Sequence, residues 1–376
     1  MKQSVLLVGN YPPDQQKSMT AFAGLIYSCL IADGHIVKIL NPAVRLLPKD
    51  VKPRGFWKWV GYIDKFLLFP FELKLQANKF DCVHICDHSN AMYALLLKNI
   101  PTIVTCHDVL AIEAARDLIP GWQVGFMGKI FQRLIFKGLT DATAVVCDSE
   151  YTKSHLQSLG WSGNSISVAL LSLNADFYPV ESSIIKEAIK VAGLQADAKY
   201  LMHVGSDLPR KNRLFVLKTF IVIKGLFPEE DYKLLFVGPP LSAEMTTLLI
   251  DNKLSDSIFS IQDASHPMLR ALYSGAVGLI FPSLQEGFGW PIIEAQACGC
   301  PVFTSNFSPM TEVGGAGAIY IDTLNAYIAA DSIGKSLSNI ELIRQTGFEN
   351  IELFSTQNMM DGYQSAYMRA LGCSEC

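Results

Sequence analysis

Short apolar runs of four or five residues alternate with helix-length segments along this chain, and the scheme runs through it twice. Residues 5–9, 36–40, 83–86, 102–106 and 144–147 read as strands in the first half, and 200–204, 233–237, 278–281, 301–304 and 318–321 in the second. Helical periodicity fills the gaps, as over 19–33, where Gly34 closes the segment. A strand that is apolar throughout must be buried on both faces. Parallel sheets covered by crossover helices meet that need. The expectation is an α/β chain of two doubly wound, Rossmann-like domains facing a central cleft. At 376 residues the chain exceeds what one core usually spans. The stretch 174–199 has little strand character and carries Phe177-Tyr178-Pro179, so the boundary is placed there, giving domains 1–178 and 179–355.

Composition narrows the class. Half the residues are apolar and 18% charged, which fits buried α/β layers and not disorder. A net charge of −4 argues against a nucleic-acid partner. Lys218 and Lys224 interrupt the longest apolar candidate, 214–227, so no run reaches membrane-span length. The start, MKQSVLLVGNYPPD, has too short an apolar core for a signal peptide and reads as a first strand. Cys29, Cys106, Cys147 and Cys298 sit inside apolar segments, so a cytoplasmic chain with reduced, buried thiols is expected. Cys373 and Cys376 have the spacing of a redox or metal pair but stand alone at the chain end, and are read as incidental.

Chemistry concentrates in FPSLQEGFGWPIIEAQACGCPV, Phe281 to Val302. A strand leads into a loop holding Glu286, Gly287, Phe288 and Gly289. A helix follows, with Pro291 in its first turn and Gly299 as its stop. A helix N-terminus behind a glycine loop suits a phosphate. Carboxylates at Glu286 and Glu294 would repel one, unless they face sugar hydroxyls; together these point to a sugar joined to a diphosphate. The plainer alternative is a structural strand–loop–helix with solvated glutamates. Arg210 and Lys211 follow another strand and are either a solvated pair or cations facing the same cleft. Asn10, Ser206 and Glu286 all lie just past predicted strands, where doubly wound sheets bind ligands. His107-Asp108 also follows a strand, where a packed or capping histidine is the ordinary outcome. His84 and His88 near Cys82 and Cys86 are read as strand-end polar residues and not as a zinc site.

The setting E-G-F-G-x-P-x-x-E-A-x-A-x-G-x-P, with seven residues between Glu286 and Glu294, resembles the signature of the retaining glycosyltransferases of family 4, whose two-domain fold is called GT-B. Further elements fall in that family's order: Ser149-Glu150-Tyr151-Thr152-Lys153, His203-Val204-Gly205-Ser206, Pro209-Arg210-Lys211-Asn212, Leu235-Phe236-Val237-Gly238-Pro239 and Thr311-Glu312-Val313. The tail 356–376 resembles the C-terminal helix that crosses back to the first domain.

The resemblance implies roles. Lys211, with Arg210 beside it, would stabilise the leaving diphosphate; Glu286 would hold hydroxyls of the transferred sugar, and Glu294 those of the ribose. Gly287, Phe288 and Gly289 would offer backbone N–H groups. His107 and Asp108 would face the donor sugar, with Asn10 on the cleft side of the first domain. Where many relatives have a further arginine this chain has Ser206, and where they have a glycine pair in the first loop it has QQKSMT between Asp14 and Thr20, with Ser18 or Thr20 left to donate. Residues 258–261 would line the base pocket. The implied reaction is a metal-independent hexosyl transfer by same-face attack, since no D-x-D element follows a suitable strand. The donor is a nucleotide-sugar, GDP-mannose ahead of UDP-sugars, and no other cofactor is expected.

For the acceptor, residues 52–80 combine Lys52, Arg54, Lys58 and Lys65 with Phe56, Trp57, Trp59 and Phe66. Such a stretch either buries its aromatics in the first domain or lies on an anionic membrane, which would suit a lipid-linked in place of a free saccharide acceptor and a peripheral place on the cytoplasmic face. A catalytically degenerate nucleotide-sugar binder or scaffold is the rival, and a nucleotide-sugar epimerase of similar fold a third option.

Overall fold

The computed structural model describes residues 2–48, 51 and 53–372. Lys52 and the Cys373–Cys376 pair lie outside the described residues. The chain divides into two compact units, Met1–Asn174 with Thr356–Cys376, and Ala175–Ser355. The first break therefore falls at Asn174, a little before the expected residue 178.

Unit 1 holds strands β1 (Ser4–Val8), β2 (Ile36–Leu40), β3 (Cys82–Ile85), β4 (Thr102–Cys106), β5 (Ala144–Cys147) and β6 (Ile166–Val168). They lie in the order β2-β1-β3-β4-β5-β6, all parallel. Unit 2 holds β7 (Tyr200–Val204), β8 (Lys233–Val237), β9 (Ile258–Ile261), β10 (Gly278–Phe281), β11 (Val302–Ser305) and β12 (Ala318–Ile321). Their order is β12-β11-β10-β7-β8-β9, again all parallel. The central strands are buried end to end, as their continuous apolar sequences demand. Strands β6 and β9 are at sheet edges and only partly buried, so neither shows the apolar run by which the others were read.

The strand order of each sheet reverses once, between β1 and β3 in unit 1 and between β7 and β10 in unit 2. At such a switch point the following loops part to opposite faces and leave a crevice beyond the strand ends. Separate apolar cores fill the units, around Val83, Val104 and Val145 in one and Leu234, Phe236 and Ile280 in the other. Fully burying each such side chain stabilises by about 1.5–3 kcal/mol.

The segment after Thr356 closes unit 1 as a helix, Thr356–Ala370. Its Tyr367 hydroxyl meets His84 Nδ1 at 2.7 Å, and its Tyr363 hydroxyl meets Thr105 Oγ1 at 3.0 Å. Thr105 also meets His84 Nε2 at 2.8 Å, so both nitrogens of His84 serve the core. Burial depresses the His84 pKa to about 3, which keeps the ring neutral.

Candidate functional site

In unit 2 the switch point places the loop after β7 beside the loop after β10. The first turns through Pro209–Lys211 and the second carries Glu286. Arg210 Nη1 donates to Glu286 Oε2 at 2.6 Å and to the Gln285 carbonyl at 2.9 Å, while Lys211 Nζ donates to Glu286 Oε1. Lys211 Nζ also lies 5.0 Å from the centre of the Phe281 ring. Burial alone would raise the Glu286 carboxyl, but Lys211 and Arg210 outweigh it and hold it below the usual carboxylate range. Lys211 is lowered by burial, with Glu286 pulling it back up. Two cations meeting one carboxylate keep the triad ionised, with a net positive charge.

Gly289, at φ +109, turns the chain into the helix Trp290–Ala297, a conformation that disfavours any residue with a Cβ. Pro291 sits in the first turn and Gly299, at φ +69, follows the C-cap Cys298. Glu294 is buried on this helix and accepts from the Tyr273 hydroxyl at 3.2 Å. Burial lifts its pKa to about 7, against the pull of Tyr273 and Lys211. Ser206 is half-buried, two residues past β7. Phe288 is buried and packs edge-on against Phe354 at 5.9 Å, so its ring belongs to the core and only its backbone is left for a ligand.

The sequence placed His203 in one of the family-like elements but gave its side chain no role. Its Nδ1 donates to the Ile280 carbonyl at 2.9 Å, tying β7 to β10, and burial holds it neutral with a pKa of about 3. The close fit continues at Gly238, φ +144, where a Cβ would stand 2.2 Å from the Gly205 carbonyl oxygen. No other residue lets the ends of β7 and β8 approach this closely.

The switch point of unit 1 is bridged in the same manner. Asn10, past β1, donates through Nδ2 to Asp87 Oδ2 past β3 at 2.5 Å, and also to Gln16. Asp87 further accepts from the N–H and hydroxyl of Ser89, each at 2.8 Å. His107, past β4, was expected to face a sugar; the structure gives its ring other partners. Nδ1 stands 2.5 Å from Asp148 Oδ2, past β5, and Nε2 lies 2.8 Å from the Cys86 carbonyl. Asp108 accepts from Leu110 N–H at 3.0 Å and lies 3.9 Å from His88 Nε2. His88 reads from the sequence as a strand-end polar residue; the spacing gave no sign of Asp87 or Asp148, whose strand-end positions are the signal that would have found them. Asn10 Oδ1, His88 Nδ1 and Asp148 Oδ1 are buried there without a hydrogen-bond partner. In the first loop Thr20 hydroxyl donates to the Gln16 carbonyl, so it serves the helix end.

Two family models match the chain, one described as glycosyl transferases group 1 over residues 184–347 and one as glycosyltransferase family 4 over 24–169. The chain belongs to the group 1 glycosyltransferases. Among its relatives is the O-antigen chain mannosyltransferase RfbU of Salmonella typhimurium, 28% identical over 60% of this chain and 58% of that protein. Another is the O-antigen chain mannosyltransferase B of Escherichia coli, 25% identical over 70% of this chain and 69% of the relative. The match thus spans between about half and two thirds of these curated relatives. Sucrose-phosphate synthase from Thermosynechococcus elongatus superposes with a TM-score of 0.75 at 18% identity, over 99% of this chain and 100% of that one. The group 1 glycosyltransferase described here accordingly has two Rossmann-like units and the GT-B fold.

Proposed function

We propose that this chain transfers a hexosyl group, mannosyl ahead of glucosyl, from a GDP- or UDP-linked donor to a saccharide or lipid-linked acceptor, with retention at the anomeric carbon. The reaction would serve polysaccharide or glycoconjugate assembly at the cytoplasmic membrane face. The names of the two mannosyltransferase relatives support the sugar. The observation that carries the chemistry is the buried triad of Arg210, Lys211 and Glu286 at the switch point of unit 2.

A diphosphate entering this crevice meets two cations against one carboxylate, so it can share Arg210 and Lys211 without leaving Glu286 unpaired. Both cations are fixed before the bond breaks, and the negative charge grows on the leaving phosphate oxygen. Fixed donors aimed at developing charge are each worth about 3–4 kcal/mol of barrier. Glu286, with a cation on each oxygen, is a poor nucleophile and a good acceptor for sugar hydroxyls. Same-face attack follows, with the leaving phosphate taking the proton of the acceptor hydroxyl as the new glycosidic bond forms. Glu294 takes the ribose hydroxyls. In unit 1 the unpartnered atoms of Asn10, His88 and Asp148 suit a polyhydroxyl ligand better than an apolar one. The two cations fill the place of a divalent ion, so activity is expected to survive EDTA.

A thermal-shift panel of GDP, UDP and ADP against wild type and Glu294→Ala tests the reading. A ligand at a hundredfold over its Kd adds about 2.7 kcal/mol of stability. One nucleotide shifting wild type but not the variant supports both donor class and site. No shift with any nucleotide counts against the proposal.

A further inference from the structure

The stretch 56–77 is one continuous helix with a π-turn at Asp64–Leu68 in its middle. At about 1.5 Å per residue it runs for roughly 33 Å. Gly61, Asp64, Phe69, Leu73 and Ala77 form its buried face. Asp64 anchors that face, accepting from the Tyr11 hydroxyl at 2.8 Å and from Leu46 N–H at 3.1 Å. The opposite face should be polar in a helix of a water-exposed domain. It is apolar instead. Trp59, Ile63, Leu67, Phe71 and Leu75 recur at every fourth position, 41–71% exposed, and Phe56 extends the stripe at 72%. The aromatics read from the sequence as either core or surface are therefore largely surface.

Charge decides what could cover this stripe. Among the described residues Arg54, Lys58, Lys74 and Lys79, on or beside the helix, form no ion pair, while its two acids are engaged, Asp64 in the core and Glu72 with Arg45 at 2.9 Å. A neighbouring helix, Phe126–Asp141, docks through Phe131 onto Tyr62 and Phe66, with ring centres 5.2 and 5.1 Å apart. It exposes Phe126 and Met127 in its first turn. A second copy packed by two-fold symmetry would set cationic helix against cationic helix. An anionic bilayer satisfies both features at once, taking the apolar stripe below the headgroups and the lysines among them.

We propose that the exposed face of helix 56–77 seats unit 1 on an anionic lipid surface. This deepens the lipid-linked acceptor reading above. It is tested without a transfer assay, so either can fail alone. The full chain is floated with vesicles of phosphatidylcholine alone and with about one third phosphatidylglycerol. The probes are wild type, Trp59→Ser/Phe71→Ser and Lys58→Glu/Lys74→Glu, each checked by circular dichroism and melting. These side chains are largely exposed, so folding should be kept. Wild type should float with the anionic vesicles, and each double variant should lose about tenfold or more of that binding. High salt should weaken wild-type binding. No flotation of wild type, or equal flotation of the folded serine variant, overturns the proposal. A dimer by light scattering that the serine variant dissociates, without vesicle binding, would assign the face to a second copy.

Discussion

His107 and Asp148 form a buried pair across the ends of β4 and β5, with Nδ1 and Oδ2 2.5 Å apart. The Cys86 carbonyl can only accept, so Nε2 of His107 must carry a proton. Burial works against a charged ring, but Asp148 and Asp87 outweigh it and lift the His107 pKa to about 9. Asp148 is itself pushed up by burial, with His107 pulling it back. We take the pair as ionised, because the Asp87 carboxylate adds to the field favouring the imidazolium. This histidine organises the strand ends of unit 1 in place of offering a free nitrogen.

Stability should depend on pH through this pair. The folded pKa of about 9 lies above the unfolded value near 6.5, so the contribution is complete below about pH 6.5 and is lost as pH rises through 9. Asp148→Asn removes the partner and should cost on the order of 3 kcal/mol at pH 6, since a buried charge loses its counterion. Melting of both proteins from pH 6 to 10 checks this, with the gap narrowing between about pH 6.5 and 9 and levelling off above that. A gap that does not change with pH would mean that Asp148 acts by packing alone.

Glu294 links stability to pH in the same direction, through its neutral form. Its folded pKa of about 7 lies above the unfolded carboxylate value, so folding is helped below about pH 4.5 and that help is lost as pH rises through 7. Glu294→Gln should therefore be more stable than wild type at pH 8, by up to about 3 kcal/mol, and no better at pH 4.5. Function should run the other way. Nucleotide affinity of wild type should fall as pH drops below about 7, because ribose hydroxyls need the carboxylate as acceptor. Calorimetric titration of GDP or UDP across pH 5.5–8 reads this, and a flat profile would remove Glu294 from the ribose.

The alternating strands were legible because doubly buried strands must be apolar, and all five strands of unit 2 read from the sequence recur within a residue. Strands β6 and β9 were not, since ISV and IFSI are short runs interrupted by a serine. Glu286, Lys211 and Arg210 could be named from motif and position, but their mutual pairing could not, because it depends on which loops flank the switch point. His107 shows the limit most clearly: its strand-end position was read, while Asp148, 41 residues away, and the Cys86 carbonyl decide what its ring can do. Chain separation hides such partners from any local reading.

The first loop offers a stability test of that same limit. Gln15 sits at φ +53, ψ +35, a left-handed turn where glycine would be at ease. Gln15→Gly should stabilise by about 0.5–1 kcal/mol, raising Tm by a few degrees. Gln15→Ala keeps the Cβ and should gain nothing. Equal melting of the two variants would show that the turn is not strained.

Removing the charge of Glu286 should separate binding from chemistry. Glu286→Gln leaves Arg210 and Lys211 without their carboxylate, so the crevice becomes more positive and GDP or UDP should bind at least as tightly as to wild type. Sugar transfer, or donor hydrolysis without acceptor, should nevertheless fall about a hundred- to a thousandfold, as the sugar hydroxyls lose their charged acceptor and meet an amide N–H in its place. Lys211→Ala should lower both nucleotide affinity and turnover, because it deletes a phosphate contact that persists into the transition state. Calorimetry and hydrolysis kinetics on the same preparations distinguish the two patterns. If Glu286→Gln lost nucleotide affinity to the extent that Lys211→Ala does, the carboxylate would be a brace for the cations and the sugar would have to be held by other groups.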